Sequence, residues 1–447
     1  MRSHRHRSIA ILHNIHPRIS QWSRSVHSPW RCLMQFHKQS LENGLQLVAE
    51  CNPDAHSIAI AFCVNTGSRD EAGAVSGVSH FLEHMVFKGT EHLSVDDVNQ
   101  QFDQMGAEYN AWTGKEHTSY YAVALPEYQE QVVKLWCELM RPALREDDFQ
   151  TEKQVILEEI RMYDDQPPFG ADEACEEDYY GGHPLANRVL GTEQSVRDMQ
   201  VEAMRAYFQS RYNPQNMVLA AAGKIDFASL VNSAEQHCGT WSRGPVERKM
   251  TPVHAGLHRR VIQRSASAQQ YVIQLSPGPS GDDDRRYAAH LLVSLLGDSS
   301  GSRLYWELMH PGHAEQISTH YYEYDDTGLM MTWMCCDPDS VEHNLQKIRS
   351  VYEVAQANGF DDAELRRAKT KFNSRLVLSG ERPQNRMLNV GIGWIRDRRY
   401  RSIREEMESF NAVSLDDIHD LLQQFPPTQC SCTTVGPREK VEWDQVG

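Results

Sequence analysis

From residue 41 onward, apolar positions recur with two periods. Residues 45–49 and 57–64 alternate or run apolar in the manner of strands, the second ending at a Thr66–Gly67–Ser68 turn. Residues 78–88 predict a buried helix with Ser76 as N-cap and Gly89 as terminator. An amphipathic helix over 96–105 stops at Gly106, and 107–113 and 118–125 form hairpin strands around Gly114. Helices follow over 127–140 and 145–164, the second ending before Pro167–Pro168, and a strand over 217–222 closes on Gly223. The second half echoes this order. A strand at 270–275 leads through a turn to helices at 286–296 and 303–309, and strands follow at 319–324 and 329–334. Long helices at 341–358 and 362–378 come next, and a strand at 431–435 closes on Gly436. The repetition predicts a duplicated α+β protein. Residues 41–240 form the first domain, 241–256 a link containing Gly244, Pro245 and Pro252, and 257–447 the second domain.

Composition narrows the function. The 447 residues carry 45 Lys+Arg against 61 Asp+Glu, a net charge of −16, which excludes a general nucleic-acid binder. With 40% hydrophobic and 24% charged residues the chain is globular, and no apolar run approaches bilayer length. Ten cysteines are scattered without a CxxC pair, which suits free thiols in a reducing compartment. Residues 1–40 hold six arginines and no acid, and read as a disordered extension, an upstream over-read of a chain starting near Met34, or a targeting segment. The location expected is cytoplasmic, with the mitochondrial matrix as the alternative if the segment is a transit peptide.

The chemistry concentrates in Ser79-His80-Phe81-Leu82-Glu83-His84-Met85. Helical positions i and i+4 stack one turn apart, so His80 and His84 present both imidazoles to one point, with Glu83 bordering the same face. Two imidazoles suit zinc, and an adjacent unbound carboxylate can take a proton from water on the metal. The order is the H-x-x-E-H inversion of the commoner zinc-peptidase motif. A third ligand should come from another helix. In the helix over 145–164, Glu152 and Glu159 are seven residues apart and lie within roughly 20° of each other, on a face shared with Val155 and Ile156. Glu158 points away, so the arithmetic selects Glu159 as ligand and Glu152 as a supporting carboxylate.

With these residues the chain resembles the inverted-motif zinc metallopeptidases that include pitrilysin, insulysin and the mitochondrial processing peptidase β subunit. The resemblance rests on His80–Thr90, on Asn110-Ala111-Trp112-Thr113 and on Glu152–Met162. It implies one zinc on His80, His84 and Glu159, and Glu83 as general base on a zinc-bound water. It also implies a supporting catalytic role for Glu152 and substrate contacts from Asn110 and Ala111. The implied fold is two homologous α/β-roll domains, antiparallel-rich sheets packed with helices, pairing with a second subunit to enclose a chamber for peptides or unfolded polypeptides. No membrane partner is expected.

One stretch departs from the pattern. After Ser302-Arg303-Leu304 the family carries an Arg and, four residues on, a Tyr that act on the substrate carbonyl, whereas this chain has Gly312 and Gln316. His310, His313 and Tyr321 are the nearby groups left to substitute. The expectation is therefore a zinc endopeptidase that needs a homologous partner subunit supplying the missing pair, as a heterodimer or alternatively a homodimer. A non-catalytic peptide-binding or assembly subunit of the same fold is the first alternative, and a metal-dependent hydrolase of small molecules the second.

Overall fold

Stretches of period two pair into two sheets that share one strand order. The computed structural model describes residues 34–244 and 248–443. Its first half opens with β1 (Gln35–Ser40), β2 (Gln46–Cys51) and β3 (Ile58–Val64), then α1 (Val78–Val86) and α2 (Val95–Met105). The hairpin β4 (Glu108–Thr113) and β5 (Thr118–Ala124) leads into α3 (Gln129–Leu139), α4 (Glu146–Asp165) and α5 (Ala171–Tyr180). The half finishes with α6 (Glu193–Asp198), α7 (Val201–Arg211), β6 (Met217–Gly223) and α8 (Phe227–Cys238). The second half holds β7 (Arg259–Gln263), β8 (Gln270–Gly278), α9 (Arg286–Gly297), β9 (Gln316–Glu323) and β10 (Gly328–Cys336). Helices α10 (Val341–Asn358), α11 (Asp362–Gly380), α12 (Pro383–Asp397), α13 (Ile403–Ala412) and α14 (Leu415–Gln424) precede the last strand, β11 (Ser431–Gly436).

The sheets run β1-β2-β6-β3-β5-β4 and β7-β11-β8-β10-β9. Leaving β1 aside, the two orders superpose strand for strand. The pairs β2–β6 and β7–β11 are parallel, and all the others are antiparallel. The duplication expected from the element order is thus written in the topology. Both hairpins end on an edge strand, β4 in one sheet and β9 in the other.

The halves are interlocked. One face of the first sheet packs on α1 to α4 through Phe62, Phe81, Phe102, Trp136 and Phe149. Its other face is lined by small side chains (Ala59, Ala61, Cys63, Ala220, Ala222) and is covered by Met387, Val390 and Trp394 of α12, a helix of the second half. Close approach is what the small residues permit: a Cβ on Gly391 would lie 2.7 Å from Cys63 Sγ and 2.8 Å from the Ala220 Cβ. Reciprocally, α5 of the first half places Cys175 and Tyr179 on Ile273, Leu275 and Val435 of the second sheet. Each half therefore buries its partner's outer face, and the burial is shared.

Two expectations are corrected, and one is refined. Residues 35–40, assigned to the extension, form β1 antiparallel to β2, because Phe36 stacks 4.2 Å from Tyr400 and tilts against Trp394. Residues 1–33 of that segment lie outside the described residues. The helix expected over 303–309 forms, and its last five residues, Tyr305–Met309, are wound as a π-helix. Ser76 does not cap α1: the N-terminus falls at Gly77, in the left-handed region at φ +89°, and the first N–H groups are taken by the Glu71 carboxylate. Among the described residues no helix is long and apolar enough to cross a membrane.

Candidate active site

Helix α1 starts on an unusual support. The Glu71 carboxylate accepts hydrogen bonds from the backbone N–H groups of Gly77 (2.7 Å) and Ser79 (2.8 Å), two of the donors a helix leaves unpaired at its N-terminus. Burial pushes the Glu71 carboxyl up to about 8, against the lowering effect of those bonds. Behind it Tyr207 sits between Ser79 Oγ (2.7 Å) and Thr66 Oγ1 (2.6 Å). Phe81 stacks on Phe149 at 4.5 Å and so sets α1 against α4.

That packing brings together the two imidazoles and the distant acid. His80 Nε2 lies 3.8 Å and His84 Nε2 3.6 Å from the same oxygen, Glu159 Oε2. The rings are 4.6 Å apart. Among the described residues this is the one group of three metal-ligating side chains whose donor atoms all lie within 4.8 Å of one another. Glu152, a buried side chain, reaches His84 Nδ1 with Oε1 at 2.8 Å and Lys88 Nζ with Oε2 at 2.5 Å. Glu83 Oε2 accepts a 2.5 Å hydrogen bond from Thr113 Oγ1, at the end of β4.

Electrostatics prepare these groups for a cation. Burial, reinforced by the neighbouring His84, lowers His80 to about 3, so its ring is neutral at ordinary pH with a lone pair to give. For His84 burial acts downward but is outweighed by Glu152, Glu159 and Glu83, which raise it. Burial likewise opposes the ionised form of Glu152, yet His84 and Lys88 hold that carboxyl below its usual range. With Glu152 accepting from Nδ1–H of His84, the Nε2 lone pair faces Glu159. Two ring nitrogens and a carboxylate oxygen then converge on one point, an arrangement of ligand atoms that a divalent cation satisfies. Glu83 is raised by burial and by Glu159, against the Thr113 hydrogen bond and His84.

Two models of known families match the sequence: "Insulinase (Peptidase family M16)" over residues 46–193 and "Peptidase M16 inactive domain" over residues 198–372. A Mycobacterium tuberculosis protein named as an uncharacterized zinc protease, Rv2782c, is 30% identical over 406 residues, 90% of this chain and 93% of its own. This chain belongs to peptidase family M16. A second M16 relative, the Bacillus subtilis zinc protease YmxG, is 28% identical over 90% of this chain and 98% of its own. The M16 fold recurs in a Helicobacter pylori protease at TM-score 0.84 and 20% identity, covering 90% of this chain and all of that one. An M16 inactive domain from Pseudomonas fluorescens gives the same score at 18% identity, covering 91% and 99%.

The remaining expected residues of this M16 chain fall in distinct places. Asn110 and Ala111 lie on β4, the free edge beside α1, with Asn110 exposed and its Oδ1 accepting from the Ala111 N–H at 2.8 Å. Glu158 is exposed, away from the histidines; of the two residues sharing the face of Glu152 and Glu159, Ile156 is buried and Val155 is 45% exposed. Gly312 occupies an exposed turn at φ +83°, and Gln316 is the exposed first residue of β9. Tyr321 is buried and donates its hydroxyl to Pro279 O at 2.6 Å, which removes it as a substitute carbonyl donor. Three residues were given no role from the sequence, although Lys88 and Thr113 lie inside the motif stretches. Lys88 is four residues past His84 and Thr113 two past Ala111, so each shares a face with a residue already singled out. Glu71 carried no local signal, since its bond to α1 depends on the turn between.

In the turn after β4, His117 is buried with Nε2 unpartnered, and burial together with Arg248 and Arg396 lowers it to about 3. The unfolded chain binds that proton near pH 6.5 and the folded chain does not, so stability falls as pH drops through 6.5 towards 3. Between pH 7 and pH 5 this one residue should cost on the order of 2 kcal/mol. Urea unfolding at both values checks it: His117→Gln should show a shallower loss than the parent, and equal losses would refute the assignment.

Proposed function

We propose that the chain is a zinc-dependent endopeptidase acting on peptides or unfolded polypeptides. The observation carrying this reading is the convergence of His80 Nε2, His84 Nε2 and Glu159 Oε2, with Glu83 alongside and Glu152 holding the far nitrogen of His84. Bound by those three side chains, one zinc ion would supply Lewis acidity towards a peptide carbonyl and acidify water. The chain's own residues do the rest. Glu83, its carboxyl raised by burial, accepts the proton of the attacking water and returns it to the leaving amine. Thr113 aims the Glu83 carboxylate, and Glu152 fixes the tautomer of His84. Peptide adds as a strand along the free edge of β4, at Asn110 and Ala111. The names of the relatives as zinc proteases support the same reading.

Carbonyl polarisation is the weak point of a single chain. Gly312 and Gln316 offer no cationic or phenolic donor, and such donors contribute roughly 3–4 kcal/mol in acyl transfer. We infer that a homologous subunit supplies them, the pair enclosing a chamber, most simply as a heterodimer and alternatively as a homodimer. The nine described cysteines, all free thiols, suit a reducing, cytoplasmic setting. Metal analysis of the purified chain tests the proposal. One zinc per chain is expected, falling close to zero in His84→Ala, together with chelator-sensitive cleavage of a quenched peptide that strengthens when the partner copurifies. A folded, metal-free chain would favour the alternative, a non-catalytic peptide-binding subunit, which the Gly312 and Gln316 substitutions also accommodate.

A further inference from the structure

Topologically equivalent hairpins meet at their tips. The turn between β4 and β5, residues 114–117, lies against the turn between β9 and β10, residues 324–327, and the contact is made of charge. Arg69 Nη1 is 2.6 Å from Glu116 Oε1, and its Nη2 is 2.9 Å from Asp326 Oδ2. Asp325 N–H donates to Glu116 at 3.1 Å. Arg248, from the link between the halves, donates to both Asp70 oxygens at 2.9 Å, to Asp325 Oδ2 at 2.5 Å and to the Glu116 carbonyl at 2.5 Å. The side chains of Arg69, Glu116 and Arg248 are 2%, 4% and 7% exposed, so the inner part of this cluster is shielded from water and salt, while Asp325 and Asp326 are 24% and 25% exposed at its rim.

The first half grips the same turn from behind. Ser68 N–H and Arg69 N–H donate to the carbonyls of Gly114 (3.2 Å) and Lys115 (2.8 Å). Only glycine fits before them: a Cβ on Gly67 would lie 2.3 Å from Gly114 O. The clamped turn begins one residue after Thr113, whose hydroxyl holds Glu83. As an edge strand, β4 is paired on one side only, with β5, and the turn at its end is also tied down by Lys115, which reaches Asn187 O at 2.9 Å and Glu176 at 2.6 Å.

We propose that Asp325 and Asp326 are positioning residues: through Arg248, Arg69 and Glu116 the second half holds the end of β4 and thereby the aim of the Glu83 carboxylate. This rests on the reading of Glu83 as the base. It gives the half without metal ligands a part in the reaction that is separate from any partner subunit. Misplacement of a reacting group by an ångström costs up to about a hundredfold in rate, so a charge clamp remote from the metal ligands is able to set kcat.

The test is the double substitution Asp325→Ala with Asp326→Ala in the zinc-loaded full chain. Both arginines keep a first-half carboxylate, Glu116 or Asp70, and Asp326→Ala alone is the fallback if the double variant does not fold. Expected are faster amide exchange over residues 113–117 with α1 exchange unchanged, and kcat at least tenfold lower at unchanged KM and zinc content. A contact that serves stability alone would lower the melting temperature without moving kcat well below it. Unchanged exchange at the turn, or unchanged kcat in a folded variant, overturns the proposal. A zinc-loaded parent that cleaves nothing even with its partner subunit present sinks the reading of the site instead, and the exchange measurement still decides whether the tips clamp the turn.

Discussion

Glu83→Gln should lower kcat by about 10²- to 10⁴-fold while the protein keeps one zinc and its stability. Glutamine has nearly the shape of glutamate, and its carbonyl oxygen can still accept the Thr113 hydroxyl that bonds Glu83 at 2.5 Å. What it lacks is a site for the proton. Because His80, His84 and Glu159 are untouched, metal analysis of the variant should match the parent, whereas a misfolded site would lose both metal and activity. A quenched-peptide assay beside elemental analysis separates the two outcomes. Parental turnover in Glu83→Gln would mean that another group takes the proton. Glu152, the remaining carboxylate of the site, has its oxygens already engaged by His84 and Lys88.

That such a prediction can be framed shows where the sequence speaks clearly. Histidines at i and i+4 on an apolar helix announce a shared point in space, and the seven-residue interval between Glu152 and Glu159 orders two acids along another helix. Both signals are local, and α1 and α4 form within a residue or two of where periodicity puts them. The hairpin at 108–124 is equally local. Destination is not. Nothing in the pattern of α12 reveals that its apolar stripe lies on Ala59, Ala61 and Ala220 of the other half's sheet, because burial demands an apolar partner without naming one. β1 was hidden for a different reason: a basic, acid-free composition masks the short strand that carries Phe36, and its exposed edge leaves little alternation to read. The cap on α1 from Glu71 depends on the irregular turn before the helix and the clamp on residues 114–117 is a long-range polar contact, and neither leaves a periodic trace.

The exchanged helix is also where a single change should hurt stability most. Glu50 on β2 and Arg386 on α12 are 3% and 4% exposed. Arg386 Nε donates to Glu50 Oε1 at 2.9 Å and Nη2 to Oε2, which also accepts the Tyr400 hydroxyl at 2.7 Å. Arg386→Met leaves the Glu50 carboxylate buried with only a phenol for company, and removing one partner of a buried ion pair costs about 3–5 kcal/mol. Pairing Arg386→Met with Glu50→Leu removes the stranded charge as well, and an apolar pair in a packed interior is often as stable as the ion pair it replaces. Urea unfolding of the zinc-free protein should therefore show a large loss for the single variant and recovery of most of it in the double. If Arg386→Met lies within about 1 kcal/mol of the parent, the range expected of an exposed pair, the bridge is not buried in solution and α12 is held to the first sheet by its apolar face alone.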